Sequence, residues 1–193
     1  MKVFLETERL ILRQLTEEDA DNLFELDSDP EVMRFINGGK PTDYEVIQKQ
    51  TLPKFLGYYK TFENLGLWAT VEKSSNDFIG WFHFYPAIEN KFAVELQLVD
   101  NDEIALGYRL RKSTWGKGYA TEGSQALIFK GFAELGVQRV VAWALAANKA
   151  SICVMEKAGL KFEKEFVFTE SQLPNLQPLE RKALKYGVNK DDF

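Results

Sequence analysis

A lysine held between two glycines, Gly116-Lys117-Gly118, stands at the head of an apolar, helix-like run, STWGKGYATEGSQALIFKGF. Glycine is a poor helix former, so its place there needs another reason. A helix start carries four unpaired N–H groups and the positive end of the helix dipole, an arrangement that holds phosphate. Without a Cβ, the backbone can come close to a ligand and take angles that other residues resist. Arg111, Lys112 and Lys117 lie within seven positions that contain no acid. The chemistry indicated is anion binding. On these residues alone, a turn that only separates two elements is the alternative.

Two familiar phosphate loops do not fit. A Walker loop needs G-x-x-x-x-G-K-[ST], and around Gly39-Lys40 the chain has Arg34 at the first glycine and Pro41 at the hydroxyl position. The dinucleotide fingerprint needs a third small residue where Thr121 stands.

The elements that must position this loop follow from pattern. ERLILRQL reads as a strand, and Thr16 as the N-cap of a helix through EEDADNLFEL. Thr42 with Glu45 predicts a capping box for a second helix, which Pro53 should end or kink. GLWATVE and DFIGWFHFY form a hairpin across Lys73 to Asn76. FAVELQLV adds a short strand, and EIALGYRL leads into the glycine loop. A helix over about Thr121 to Leu135 stops at Gly136. RVVAWALA is a buried strand, and Asn148 caps the short helix KASICVMEKA, which Gly159 ends. FEKEFVF and ERKALKY are the last strands. The order β-αα-βββ-α-β-α-ββ predicts one α+β (α/β-like) domain over residues 1–193, a sheet with helices packed on it.

Composition narrows the function. Of 193 residues, 45% are hydrophobic, with 15 Phe, 7 Tyr and 4 Trp, enough for a sizeable core. A net charge of -5 argues against nucleic acid as the main partner. No apolar run approaches a membrane span, and Met1 to Leu15 carries charges where a signal peptide would be apolar. One cysteine, Cys153, fits a reducing, cytoplasmic setting and is read as core. With a single histidine, His83, a His/Cys zinc site and a Ser-His-Asp hydrolase are both disfavoured. His83 lies in an aromatic strand and reads as a packed or edge residue.

Three segments, LGYRL, WGKGYATEG and NKASICVMEKAGLKF, together with the opening ETERLILRQLTEEDADNLFEL, resemble the GNAT superfamily of N-acetyltransferases. The likeness is greatest to the branch related to ribosomal-protein alanine N-acetyltransferases (RimJ/RimL-like), and it spans nearly the whole chain. It implies a mixed, mostly antiparallel GNAT sheet and acetyl-CoA as co-substrate. By the same resemblance, the pyrophosphate lies on the amides of Trp115, Gly116, Lys117, Gly118, Tyr119 and Ala120. The pantetheine arm pairs with the backbone near Leu110 and Arg111. Relatives often carry Gln or Arg three residues before the first glycine, where this chain has Ser113.

Acetyl transfer needs a neutral amine, a polarised carbonyl and a stabilised thiolate. The resemblance gives the Tyr108 amide to the carbonyl. Many relatives place a proton-donating Tyr seven residues after the Asn; here that position is Met155. Ser151, one turn earlier, then becomes the donor to the thiolate, or a plain polar residue of the first turn. Asn148 caps the helix and resembles a pantetheine contact. Glu103, in phase with Ala105 where relatives often have Glu, is either a base shifted along the strand or an exposed edge acid. The implied partner is an amine, on a protein N-terminus or a small molecule, met by a monomer or homodimer. Two rivals stay open, a non-catalytic acyl-CoA-binding module and a binder of another phosphorylated ligand.

Overall fold

The computed structural model describes residues 2–193; Met1, counted above in the amino-terminal stretch, lies outside the described residues. Eight strands form one sheet in the order β1-β2-β3-β4-β5-β6-β8-β7. They are β1 (Val3–Glu6), β2 (Leu10–Gln14), β3 (Gly66–Glu72), β4 (Phe78–Pro86), β5 (Glu103–Leu110), β6 (Arg139–Leu145), β7 (Lys161–Val167) and β8 (Lys182–Asn189). Every neighbouring pair is antiparallel except β5 and β6. A parallel pair needs a crossover, and the chain between β5 and β6 supplies one as helix α6 (Tyr119–Glu134).

Strand periodicity sends alternate side chains to two cores. Phe82, Phe84, Leu106 and Leu110 join Leu127, Ile128 and Met155 on the face covered by α6 and α7 (Lys149–Lys157). Trp81, Tyr85 and Ala105 join Leu23, Leu26 and Ile47 on the opposite face. That face is covered by α1 (Ala20–Ser28), α2 (Pro30–Asn37) and α4 (Leu52–Thr61), while the short α3 (Tyr44–Val46) rests on α1 through Tyr44. Helix α6 sits close on the sheet because Gly123 lies over the Phe82 ring, where an added Cβ would fall 2.3 Å from Cζ.

Several sequence expectations need correction. β1 was not foreseen; it pairs with β2 as an edge hairpin. FAVELQLV is no strand: Lys91–Glu95 form α5, with Ala93 fully buried and Phe92 set edge-on against Trp143. The Thr42–Glu45 capping box does not form, because the Thr42 N–H is bonded to the Asp27 carbonyl and Asp43 occupies the cap position. Pro53 does not end the second helix, which continues through it. Ile47–Thr51 widen into a π turn, in which the Leu52 N–H reaches the Ile47 carbonyl. Pro53 then falls at the second position of α4, directly after the widened turn, which accommodates the missing N–H.

Cys153 is exposed, contrary to the core reading. Thr16 does open the first helical segment, with its N–H bonded to the Asp19 carboxylate. Among the described residues, no helix is long and apolar enough to cross a membrane.

Candidate active site

The parallel pairing of β5 with β6 lasts only from Glu103↔Arg139 to Ala105↔Val141. Beyond it the two strands part, each still paired on its outer side, β5 with β4 and β6 with β8. Which main-chain groups face the opening follows from the antiparallel ladder. The Arg111 N–H donates to the Ile79 carbonyl at 2.8 Å, one step past the Gly80↔Leu110 pair. Hydrogen-bonded and non-bonded pairs alternate, so the N–H and C=O of Gly107 and Arg109 also turn to β4. Those of Tyr108 and Leu110 turn the other way, into the gap. The indole of Trp115 confirms this by donating to the Leu110 carbonyl at 2.8 Å.

The Tyr108 N–H therefore faces the gap, as the oxyanion reading requires. For the pantetheine contact, the expectation divides. The Leu110 N–H faces the gap, whereas Arg111 has both main-chain groups committed. Its N–H goes to Ile79, and its carbonyl accepts from the Thr114 N–H and hydroxyl.

The glycine loop lies at the same end of β5. Gly116 and Gly118 have φ of 74° and 85°, a left-handed conformation costly for other residues. The turn aims the start of α6 outward. Among the described residues, the N–H groups of Gly116, Lys117, Gly118, Tyr119, Ala120 and Thr121 have no hydrogen-bond partner. Trp115 is the correction to the expected cradle, since its N–H is bonded to the Lys112 carbonyl at 3.1 Å. A Cβ built at Gly116 would meet nothing within 4 Å, and one built at Gly118 would meet only Arg9 Nη2 at 3.3 Å, so the space beside these two glycines is bounded only by that guanidinium.

The charge around the loop also differs from the linear reading. Arg111 turns to Glu25 at 2.7 Å, and Lys112 to Glu31 at 3.7 Å. Lys117 keeps no ion pair among the described residues. A second cation arrives from β2's approach: Arg9 donates to the Lys117 carbonyl at 2.8 Å and stacks over the Tyr119 ring at 4.6 Å. Glu122 holds Arg9 there through its guanidinium, at 2.6 Å. Arg9 was missed because no local pattern joins it to a loop 108 positions away.

Helix α7 supplies the other side of the gap. Asn148 caps it, its Oδ1 accepting from the Ser151 N–H at 3.2 Å. Ser151 Oγ accepts from the Tyr108 hydroxyl at 3.2 Å, so a side chain of β5 meets one of α7. Burial pushes the Tyr108 phenol above its ordinary pKa. Met155 is packed in the core at 5% exposure and offers no proton.

Glu103 corrects the edge-acid reading. It is 2% exposed, and its carboxylate accepts from Arg139 Nε at 2.7 Å and Lys185 Nζ at 3.1 Å. It lies five residues before Tyr108, roughly 16 Å back along the strand. Its ion pairs pin the strands where they are still joined. His83 lies on the face opposite Tyr108, its Nε2 buried and without a hydrogen-bond partner among the described residues. Burial, reinforced by Arg109, lowers its pKa to about 3.

Comparisons with known proteins bear on the family and the fold. The profile of the acetyltransferase (GNAT) domain matches residues 9–161. An FsC-acetyl coenzyme A-N(2)-transacetylase of Aspergillus fumigatus is 29% identical over 98% of this chain and 77% of its own length. An uncharacterized N-acetyltransferase, p20, of Bacillus licheniformis is 32% identical over 83% of each chain. Among solved structures, RimL, a ribosomal alpha-N-protein acetyltransferase in complex with coenzyme A, superposes with a TM-score of 0.75. It is 17% identical and covers 100% of both chains.

Proposed function

The chain belongs to the GNAT acetyltransferase family and is an acetyl-CoA-dependent N-acetyltransferase, and we propose that its acceptor is the primary amine of a small molecule. The observation that carries the site reading is the row of unbonded amides at residues 116–121, opening onto the gap that Tyr108 and Ser151 border. Those amides, at the positive end of α6 and beside Lys117 and Arg9, suit a diphosphate. The bound co-substrate supplies an activated acetyl thioester. Everything else is the work of this chain.

The Tyr108 N–H donates to the carbonyl oxygen as charge builds on it. Ser151 Oγ donates to the departing sulfur, and Asn148 both caps α7 and borders the pantetheine path. The Leu110 N–H gives that arm one strand-like rung. Glu103, already bound to two cations, is left out of proton transfer. An alkylamine has a pKa of about 10.4, so the acceptor must shed a proton before attack. A water chain to solvent suffices for this step, and a positioned base would add about 10²–10⁴-fold.

The small-molecule acceptor is favoured by the relative that matches almost the whole chain, whose name specifies an N(2)-transacetylase acting with acetyl coenzyme A. The peptide α-amine is the second reading. It is supported by the resemblance to the ribosomal-protein branch and by the superposition on RimL.

Two measurements test the proposal. Thiol release from acetyl-CoA, followed over a panel of small amines and N-terminal peptides, should be fastest with a small amine. A preference for peptides would replace that acceptor. Calorimetry with coenzyme A, ATP and NAD should select coenzyme A. Gly118→Asp should weaken it by roughly tenfold or more, by setting a carboxylate at the helix start. Gly118→Ala carries the same backbone strain without the charge and serves as the control. Equal losses in the two variants would refute the anion cradle.

A further inference from the structure

Tyr108 and Ser151 are 43 positions apart in the chain, yet their hydroxyls form a bond with a defined direction. The phenol donates and the serine oxygen accepts. The Ser151 hydrogen must therefore point elsewhere, and among the described residues nothing accepts it. A helical serine can return its hydrogen to the carbonyl one turn back, but no such bond forms here. With its N–H held by Asn148 and its oxygen held by Tyr108, Ser151 is fixed at two atoms. Its one donor hydrogen is left free beside Tyr108, on the stretch of β5 that lies past its pairing with β6.

We propose that Tyr108 is a positioning residue for acetyl transfer: its phenol fixes Ser151 Oγ so that the serine hydrogen is presented to the departing sulfur. The inference rests on the acetyl-transfer reading above and extends it to a side chain that the reading used only through its backbone.

Acidities decide whether the pair donates hydrogen bonds or protons. An ordinary thiol has a pKa of about 8.5 and an ordinary phenol about 10. Burial raises the Tyr108 phenol further. A departing thiolate is thus too weak a base to take the tyrosine proton, and far too weak for that of serine. Both hydroxyls keep their protons. As the new N–C bond forms, the C–S bond breaks with its electron pair on sulfur, and the proton lost by nitrogen goes to water. The phenol's contribution is to polarise and aim the serine, since linked hydrogen bonds strengthen one another by roughly 10–30%.

Coenzyme A itself serves as the probe, so no acceptor needs to be known. The thiol of the bound coenzyme is titrated by its ultraviolet thiolate absorbance in the parent protein, Ser151→Ala, Tyr108→Phe and the double variant. In the parent the bound thiol should ionise below its free value. Ser151→Ala should raise it by about one unit, the loss of a hydrogen bond to a charged atom. Tyr108→Phe should raise it by roughly half a unit, consistent with a polarised and oriented donor. The double variant should match Ser151→Ala, because tyrosine acts only through serine. Ser151→Thr keeps the hydroxyl and should restore most of the parent value.

Phenylalanine preserves the packing of ring 108 on Phe82, 5.7 Å between centroids. Coenzyme affinity in Tyr108→Phe should therefore stay within about twofold, a loss that is small on the affinity scale. A parental titration in Tyr108→Phe, or a double variant that exceeds Ser151→Ala, overturns the role of tyrosine alone. No shift in Ser151→Ala removes both side chains and leaves co-substrate binding intact. Absence of coenzyme binding by the parent would overturn the acetyl-transfer reading beneath them.

Discussion

Replacing Glu103 with alanine separates architecture from chemistry. The carboxylate is 2% exposed and bound by Arg139 Nε at 2.7 Å and by Lys185 Nζ at 3.1 and 3.2 Å. The Asp100 N–H adds a fourth contact at 3.2 Å. The Lys185 side chain is only 6% exposed, and its other anion, Glu163, is 3.4 Å away. Removing one member of such a buried group leaves the rest uncompensated, at a cost of about 3–5 kcal/mol. For a domain of this size each kcal/mol moves the melting temperature by about 2–4 °C, so a fall of roughly 10 °C is expected. Urea unfolding should show a lower midpoint with an unchanged slope, and coenzyme A affinity at low temperature should match the parent. Glu103→Leu combined with Lys185→Met should recover most of the loss, because no buried charge is then left alone. A Glu103→Ala protein of parental stability whose turnover falls a hundredfold would refute this reasoning and return Glu103 to the reaction as a base.

Two further outcomes follow from His83 and its neighbour. Gly107→Ala would set a Cβ 2.5 Å from His83 Cε1 and should lower the urea midpoint; His83→Ala in the same chain should restore it, and failure of that rescue would put the strain elsewhere. His83 ionises only near about 3 when folded, because burial and then Arg109 disfavour its charge, against about 6.5 in an unfolded chain. Below pH 6.5 the unfolded state therefore binds a proton that the native state refuses. Stability should drop as pH falls from 6.5 towards 5, by up to about 1.4 kcal/mol per unit. His83→Phe should flatten that limb, and an unchanged slope in this variant would count against the assignment.

The legible parts of the sequence were those whose cause is local. Gly116 and Gly118 announce a left-handed turn, Asn148 announces a cap, and both do what their neighbours suggest. Glu103 was misread because its partners, Arg139 and Lys185, lie 36 and 82 positions away. Alternation in FAVELQLV imitates a strand. Yet Ala93 is fully buried while Val94 is half-exposed, and Phe92 is held by Trp143 and Phe168 from distant elements. Pro53 followed its usual rule about lost N–H groups, but the π turn ahead of it absorbed the cost, and nothing in the residue pattern signals that turn. Arg9 and the Tyr108–Ser151 contact depend on the closed sheet and could not be read before it.

In main-chain bonding, three residue pairs stitch β1–β5 to β6–β8, Glu103↔Arg139 through Ala105↔Val141. The sheet behaves as two panels with a short seam, and whatever occupies the open length of that seam acts as a splint across it. With acetyl-CoA lying there, as proposed above, the co-substrate becomes a mechanical part of the enzyme as well. Amides along both lips should exchange hydrogen more slowly when it is present. The melting temperature should climb with the logarithm of its concentration, so that the protein's own durability registers the supply of acetyl donor around it.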